Sequence, residues 1–323
     1  MSVPSSARTV KGATTKERAG PSAGSADHGR PRTAPAAGGR PVTSSGAPST
    51  GQSSTDQSSA PAPWQVTVAS TVLGLGLGAT LATAFVNETT SQLRAPGGAL
   101  MFAGGAAGLA GTYLALVMVL LVSRVPFVER AIGQDGLLRW HKRLAPWPIA
   151  LIVAHVVVLV FAYAAAAHTG AWHETTTMVS GFPWMVEATI GFVLMLAVAT
   201  VSAKFLRSRI RREKWWAFHL FMYVALALSF AHVIALGPSF VGHPLVRAAW
   251  VVFWVLSAGA VAAFRVGLPV LRTLRHDLRV VEVRPEVPGV VSVICQGRSL
   301  ERLHVSGGQF FEWRFLCKGM WWQ

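Results

Sequence analysis

Charged residues are scarce in this chain. Only 13% of its 323 residues are Asp, Glu, Lys or Arg, while 52% are hydrophobic. That balance excludes an ordinary soluble domain and calls for a membrane class to be tested first. Acidic residues are the scarcer sign, with 14 Asp and Glu against 29 Lys and Arg, for a formal net charge of +15. Such a charge would suit a nucleic-acid binder. The basic residues, however, cluster in short segments beside apolar runs, as orientation signals do, so no nucleic-acid partner is expected. Cysteine is scarcer still. Cys295 and Cys317 both lie near the C-terminus, far from any C-x-x-C or Cys/His metal spacing, and read as free thiols. A disulfide is not expected in a segment that faces a reducing compartment.

Large apolar residues are nearly missing from Met1 to about Pro63, where Ser, Ala, Gly, Pro and Thr dominate. Such a stretch buries too little surface to offset the entropy of ordering, and it reads as a disordered tail. A secretory signal peptide is excluded, because a long polar stretch precedes the first apolar run.

Six apolar runs follow, at approximately Val66–Val86, Leu100–Val122, Ala145–Ala167, Trp184–Ala203, Trp216–Leu236 and Leu245–Val266. Each has the roughly 20 residues that a spanning helix needs. Ser123–Leu144 carries Arg124, Arg130, Arg139, Lys142 and Arg143, and Lys204–Trp215 carries Lys204, Arg207, Arg209, Arg211, Arg212 and Lys214. The intervening segments on the other face offer only Arg94. The positive-inside rule then places both termini in the cytoplasm. Trp64, Trp140, Trp147, Trp172, Trp184, Trp215 and Trp216 sit near run ends, as an interfacial belt would. After the sixth run, Val280–Val283 and Val290–Ile294 are short β-branched runs punctuated by Pro285, Pro288 and Gly289. They read as the first strands of a β domain. The expected fold class is an all-α membrane protein: a cytoplasmic tail over 1–63, a six-transmembrane-helix bundle over 64–270, and the start of a cytoplasmic β domain over 271–323.

Histidine carries the chemistry. His155 and His232 lie inside apolar runs, where an ionisable side chain is costly and marks a functional site. His141 and His219 stand at the basic ends of the same two runs. Both runs travel in one direction, so the four residues form two His/His levels, an inner pair His141/His219 and an outer pair His155/His232, separated by roughly 20 Å at 1.5 Å per residue. Each level could hold the iron of one macrocycle between imidazoles from two helices, an arrangement suited to electron transfer. Helical phase puts His141 and His155 on nearly one face. His219 and His232 fall about 140° apart on an ideal helix, so the fifth run needs a bulge or a strong tilt. His168 is a rival ligand by spacing but lies beyond the apolar stretch. His168, His173 and His243 could bind a metal ion together or simply be solvated loop residues. Arg139, Lys142, Arg143 and Lys214 flank the inner level, where they could meet anionic propionates or serve topology alone.

The unit Leu138-Arg139-Trp140-His141-Lys142-Arg143-Leu144 followed by His155, and Trp216-Ala217-Phe218-His219 followed by His232, resembles the ferric reductase transmembrane domain shared with NADPH oxidases, over roughly Leu100–Val266. Gly308-Gln309-Phe310-Phe311-Glu312-Trp313-Arg314-Phe315-Leu316 is similar to the strand entering the FAD-binding barrel of bacterial members. The resemblance implies an oxidoreductase of the plasma membrane with two b-type haems, passing electrons from NAD(P)H through FAD to the inner and then the outer haem. Ferric chelates or dioxygen are the implied external acceptors. The flavin motif and the Gly-rich nucleotide motif of the family do not occur before Gln323, so the FAD site is expected to be incomplete here and the NAD(P)H site to lie outside this chain. A haem-only carrier subunit serving a separate reductase is the alternative. A non-redox channel or transporter would instead show discontinuous helices and acidic residues at mid-membrane.

Overall fold

The computed structural model describes residues 63–86 and 88–303. The tail ahead of Pro63 and the Gly308–Leu316 motif lie outside the described residues. The helices in chain order are α1 (Pro63–Ala84), α2 (Thr90–Arg94), α3 (Gly98–Val122), α4 (Pro126–Ile132), α5 (Gln134–Leu144), α6 (Pro146–Ala167), α7 (Ala171–Gly181), α8 (Met185–Ser202), α9 (Lys204–Arg207), α10 (Arg212–Leu236), α11 (Pro244–Ala260) and α12 (Leu268–His276). A π-helical turn, Val261–Gly267, joins α11 to α12. Two strands follow, β1 (Arg279–Val287) and β2 (Val290–Gln296).

Six helical stretches are long and apolar enough to cross a bilayer: Trp64–Ala84, Gly98–Val122, Gln134–Ala167, Met185–Ser202, Arg212–Leu236 and Pro244–His276. The expected six runs are all present, with two differences at their ends. The third stretch begins at Gln134, because Ala145 keeps helical dihedrals between α5 and α6 and Pro146 takes a first-turn position where a missing N–H costs nothing. The sixth continues to His276 through the π turn. The chain is therefore a multi-pass membrane protein.

The second stretch is the axis of the bundle. Of its most apolar window 61% is buried, against 6–17% for the other five. Their outer sides expose Val, Leu and Phe, as lipid-facing surfaces do. Burial of α3 follows from its glycines. Gly104, Gly108 and Gly111 form a stripe, and a Cβ on them would meet Leu159, His155 and Ile152 of α6 in turn. Small residues at this spacing let two helix backbones approach closely in a bilayer. The contact order also shows that α3 and α6 run antiparallel. A second close pair, α8 with α10, is closed by Gly191, whose Cβ would lie 2.8 Å from the Ala225 carbonyl oxygen. Leu109, Tyr113, Leu116 and Val117 of α3 meet Leu226 and Ile234 of α10 and Trp250 and Trp254 of α11 in the main apolar core.

The β segment is an antiparallel hairpin, turning at Gly289 with φ +83°. Val280–Val283 and Val290–Ile294 are in its strands as expected. Among the described residues the sheet has two strands and is not a barrel. Its root is tied to the last membrane helix, where the Arg298 N–H donates to the His276 carbonyl oxygen (2.7 Å) and His276 Nδ1 lies 3.1 Å from the Arg298 carbonyl oxygen.

Candidate functional site

His141 occupies the last turn of α5, and His219 lies two turns into α10. Their rings meet edge to face, with centroids 6.2 Å apart and planes at 76°. A metal–imidazole bond of about 2.0–2.1 Å plus roughly 1.1 Å from nitrogen to ring centre puts two imidazoles on opposite sides of one metal ion about 6.3 Å apart. The observed spacing fits such a pair. Both rings are half-buried, at the level where the basic segments meet the bilayer.

One level further along stand His155 of α6 and His232 of α10, both half-buried within their spans. His155 Nδ1 lies 2.7 Å from the Gly104 carbonyl oxygen. A carbonyl only accepts, so this nitrogen carries the proton and Nε2 keeps its lone pair. The ring fits there because Gly108 has no side chain; a Cβ would stand 2.7 Å from His155 Cε1. Met118, on the same helix as Gly104, brings its backbone to His141. Gly104 and Met118 are separated along α3 by the same interval that separates His141 from His155, so one antiparallel helix backs both rings.

The two pairs are asymmetric in their anchoring. The Nδ1 atoms of His141 and His232 are buried and find no hydrogen-bond partner among the described residues. His219 is held: Ser202 Oγ lies 3.3 Å from its Nδ1, and the Trp215 ring stacks on it with centroids 5.2 Å apart and planes at 23°. The Trp215 indole N–H donates to the same Ser202 oxygen (3.3 Å), and the Arg207 guanidinium lies over the Trp215 ring, 4.3 Å from its centroid.

No bulge interrupts α10, which is continuous from Arg212 to Leu236; the π turn lies in the sixth stretch instead. α8 packs closely on α10, whereas α6 and α10 are not among the closely packed helix pairs of the described residues.

The remaining histidines stand apart. His168 caps the end of α6 in the left-handed region (φ +53°), His173 is on α7 and His243 precedes α11. Among the described residues no three His, Cys, Asp or Glu side chains gather to hold a metal ion. Of the basic residues expected to flank the inner level, Lys142 acts electrostatically on His141, but Arg207 is the cation that acts on His219. Gly104, Gly108 and Ser202 were not foreseen. The glycines carry a sequence signal, their small-residue spacing; Ser202 carries none.

Residues 107–230 match the model of the family described as ferric reductase like transmembrane component. The matched stretch runs from the α3 core through His141, His155 and His219 and ends two residues before His232. The resemblance read from the sequence therefore holds: this stretch is a ferric reductase-like transmembrane domain, and at family level it indicates electron transfer of an oxidoreductase type. No solved structure matches the chain.

Proposed function

We propose that the chain conducts electrons across the plasma membrane through two b-type haems, one held by His141 and His219 and the other by His155 and His232. The observation that carries the reading is the approach of the His141 and His219 rings, 6.2 Å between centroids, from two separate spans. A haem with two imidazole ligands supplies an iron that changes oxidation state with no open position for substrate. The chain's own residues do the rest. Gly104 fixes the protonated nitrogen of His155, and Gly108 makes room for its ring. The apolar walls of α3, α6, α8 and α10 keep water from the path between the two levels.

The direction follows from charge. The Arg and Lys residues of 123–144 and 204–214 place the inner pair on the cytoplasmic side, with both termini inside. A flavin/NAD(P)H donor would act there and a ferric chelate or dioxygen on the opposite face. The hairpin favours a flavocytochrome over a haem-only carrier. Val280, Val281, Val283, Val291 and Val293 are exposed on both of its faces, as in strands awaiting the rest of a β domain.

A reduced-minus-oxidised spectrum with haem stoichiometry on detergent-purified protein tests the reading. Two b-type haems per chain are expected, with one lost on His155→Leu or His232→Leu. A colourless protein after expression with ample haem would overturn it.

A further inference from the structure

We propose that Ser202 and Trp215 are positioning residues for His219, holding its ring plane and offering an acceptor to a protonated Nδ1, so that Nε2 can present the lone pair that an iron ligand needs. The inference rests on the haem reading above and deepens it at the inner site.

The first argument is the direction of the hydrogen bonds. An indole N–H can only donate, so Trp215 Nε1 takes one acceptor lone pair of Ser202 Oγ at 3.3 Å. The hydroxyl oxygen has a second lone pair, and His219 Nδ1 lies 3.3 Å from it. When Nε2 is given over to a metal ion, Nδ1 keeps the proton, and the Ser202 oxygen can then receive both donors. That is the state Gly104 imposes on His155 by a different route. Such outer partners set which nitrogen is free and raise the basicity of the ligand.

The second argument is what Ser202 does not do. Other hydroxyls on α8 and α10 fold back on their own helix: Thr189 donates to the Met185 carbonyl, Thr200 to Leu196 and Ser229 to Ala225. Ser202, the last residue of α8, instead meets two side chains of α10.

The third is the stack. Trp215 lies nearly parallel to the His219 ring, 23° between planes, and Arg207 of α9 lies over Trp215 in turn. Imidazole rotation about its Cβ–Cγ bond is restricted by the indole, and the indole by the guanidinium. Three consecutive elements, α8, α9 and α10, thus converge on one ring of the inner pair, while Nδ1 of its counterpart His141 has no such anchor among the described residues.

The test compares Ser202→Ala, Ser202→Thr, Trp215→Phe and Trp215→Leu in the full chain, reading haem retention and the midpoint potential of each haem. Ser202→Ala is expected to weaken the inner haem about 10–100-fold and to raise its potential, because a less basic imidazole favours the reduced iron less weakly. The outer haem should be unchanged, which also reports on folding. Ser202→Thr should restore the wild-type values, and Trp215→Phe, which keeps the ring but not the N–H, should fall between wild type and Trp215→Leu. Two haems with unaltered affinity and potential in Ser202→Ala would overturn the positioning role and leave the haem reading standing. Loss of both haems together would overturn it too, as a general folding effect. A colourless wild-type protein would overturn both proposals.

Discussion

His155 donates from Nδ1 to the carbonyl oxygen of Gly104 across 2.7 Å, joining α6 to the helix at the centre of the bundle. The contact exists because α3 is smooth on this side. Its Gly104 carbonyl already serves the helix ladder and offers its second lone pair, and the missing side chain of Gly108 lets the imidazole lie against the backbone.

Gly108→Ala is therefore expected to disturb the outer pair selectively. The new Cβ would overlap the His155 ring, which has the backbone of α3 behind it and cannot retreat without losing the Gly104 bond. Outer-haem affinity should fall about 10–100-fold, as for loss of an orienting partner, with the inner haem retained. Gly105→Ala is the control, because nothing lies within 4 Å of its Cβ position. Haem content per chain by difference spectroscopy separates the two.

The histidines themselves divide into two classes. Substituting Leu at His141 or His219 should remove only the inner haem. The triple replacement of His168, His173 and His243 by Ala should leave both, since among the described residues these gather no metal group and stand outside the two proposed pairs. Spectra of the purified variants check this, and haem loss from the triple variant would reinstate His168 as a ligand.

The six spans were legible because their signal is local: apolar length survives in composition, and the four candidate histidines were conspicuous because each stands in or beside such a run. The start of the third span at Gln134 was not, because α5 has too many Arg and Lys residues to read as membrane helix, and its continuity with α6 depends on Ala145 adopting helical dihedrals just before Pro146. The anchoring of the rings was hidden for another reason. Gly104 and His155 are 51 residues apart and Ser202 and His219 are 17 apart, and each contact is set by how two helices pack. The π turn at Val261–Gly267 likewise left no mark that periodicity could find, whereas the phase mismatch on α10 called for a bulge or a strong tilt, and the helix is continuous, without a bulge.

Tyr113 ties the first span to the central one. Its hydroxyl donates to the Leu73 carbonyl oxygen at 3.0 Å, and its ring fills the space above Gly76. Tyr113→Phe should cost about 0.6 kcal/mol, the average for a hydrogen bond between membrane helices. Gly76→Ala should cost more, about 1–3 kcal/mol, because its Cβ would stand 2.8 Å from Tyr113 Cζ inside a closed contact. Thermal unfolding in detergent, followed by circular dichroism, should rank the two variants in that order with the haem spectrum unchanged below the transition.

Orientation makes the last prediction. On the orientation proposed from the excess of Arg and Lys in 123–144 and 204–214, those segments would be cytoplasmic and α7 would lie outside. Thr176 of α7 and Arg209 between α9 and α10 are both exposed, so a cysteine at either is accessible to a reagent on its own side of the membrane. In a background with Cys295 and Cys317 replaced by Ser, Thr176→Cys should react with an impermeant maleimide in intact cells, and Arg209→Cys only after the membrane is opened. The reverse pattern would invert the bundle. It would place His155 and His232 nearest the donor, and the hairpin that follows His276 would then stand on the acceptor side, where a cytoplasmic flavin domain could not form.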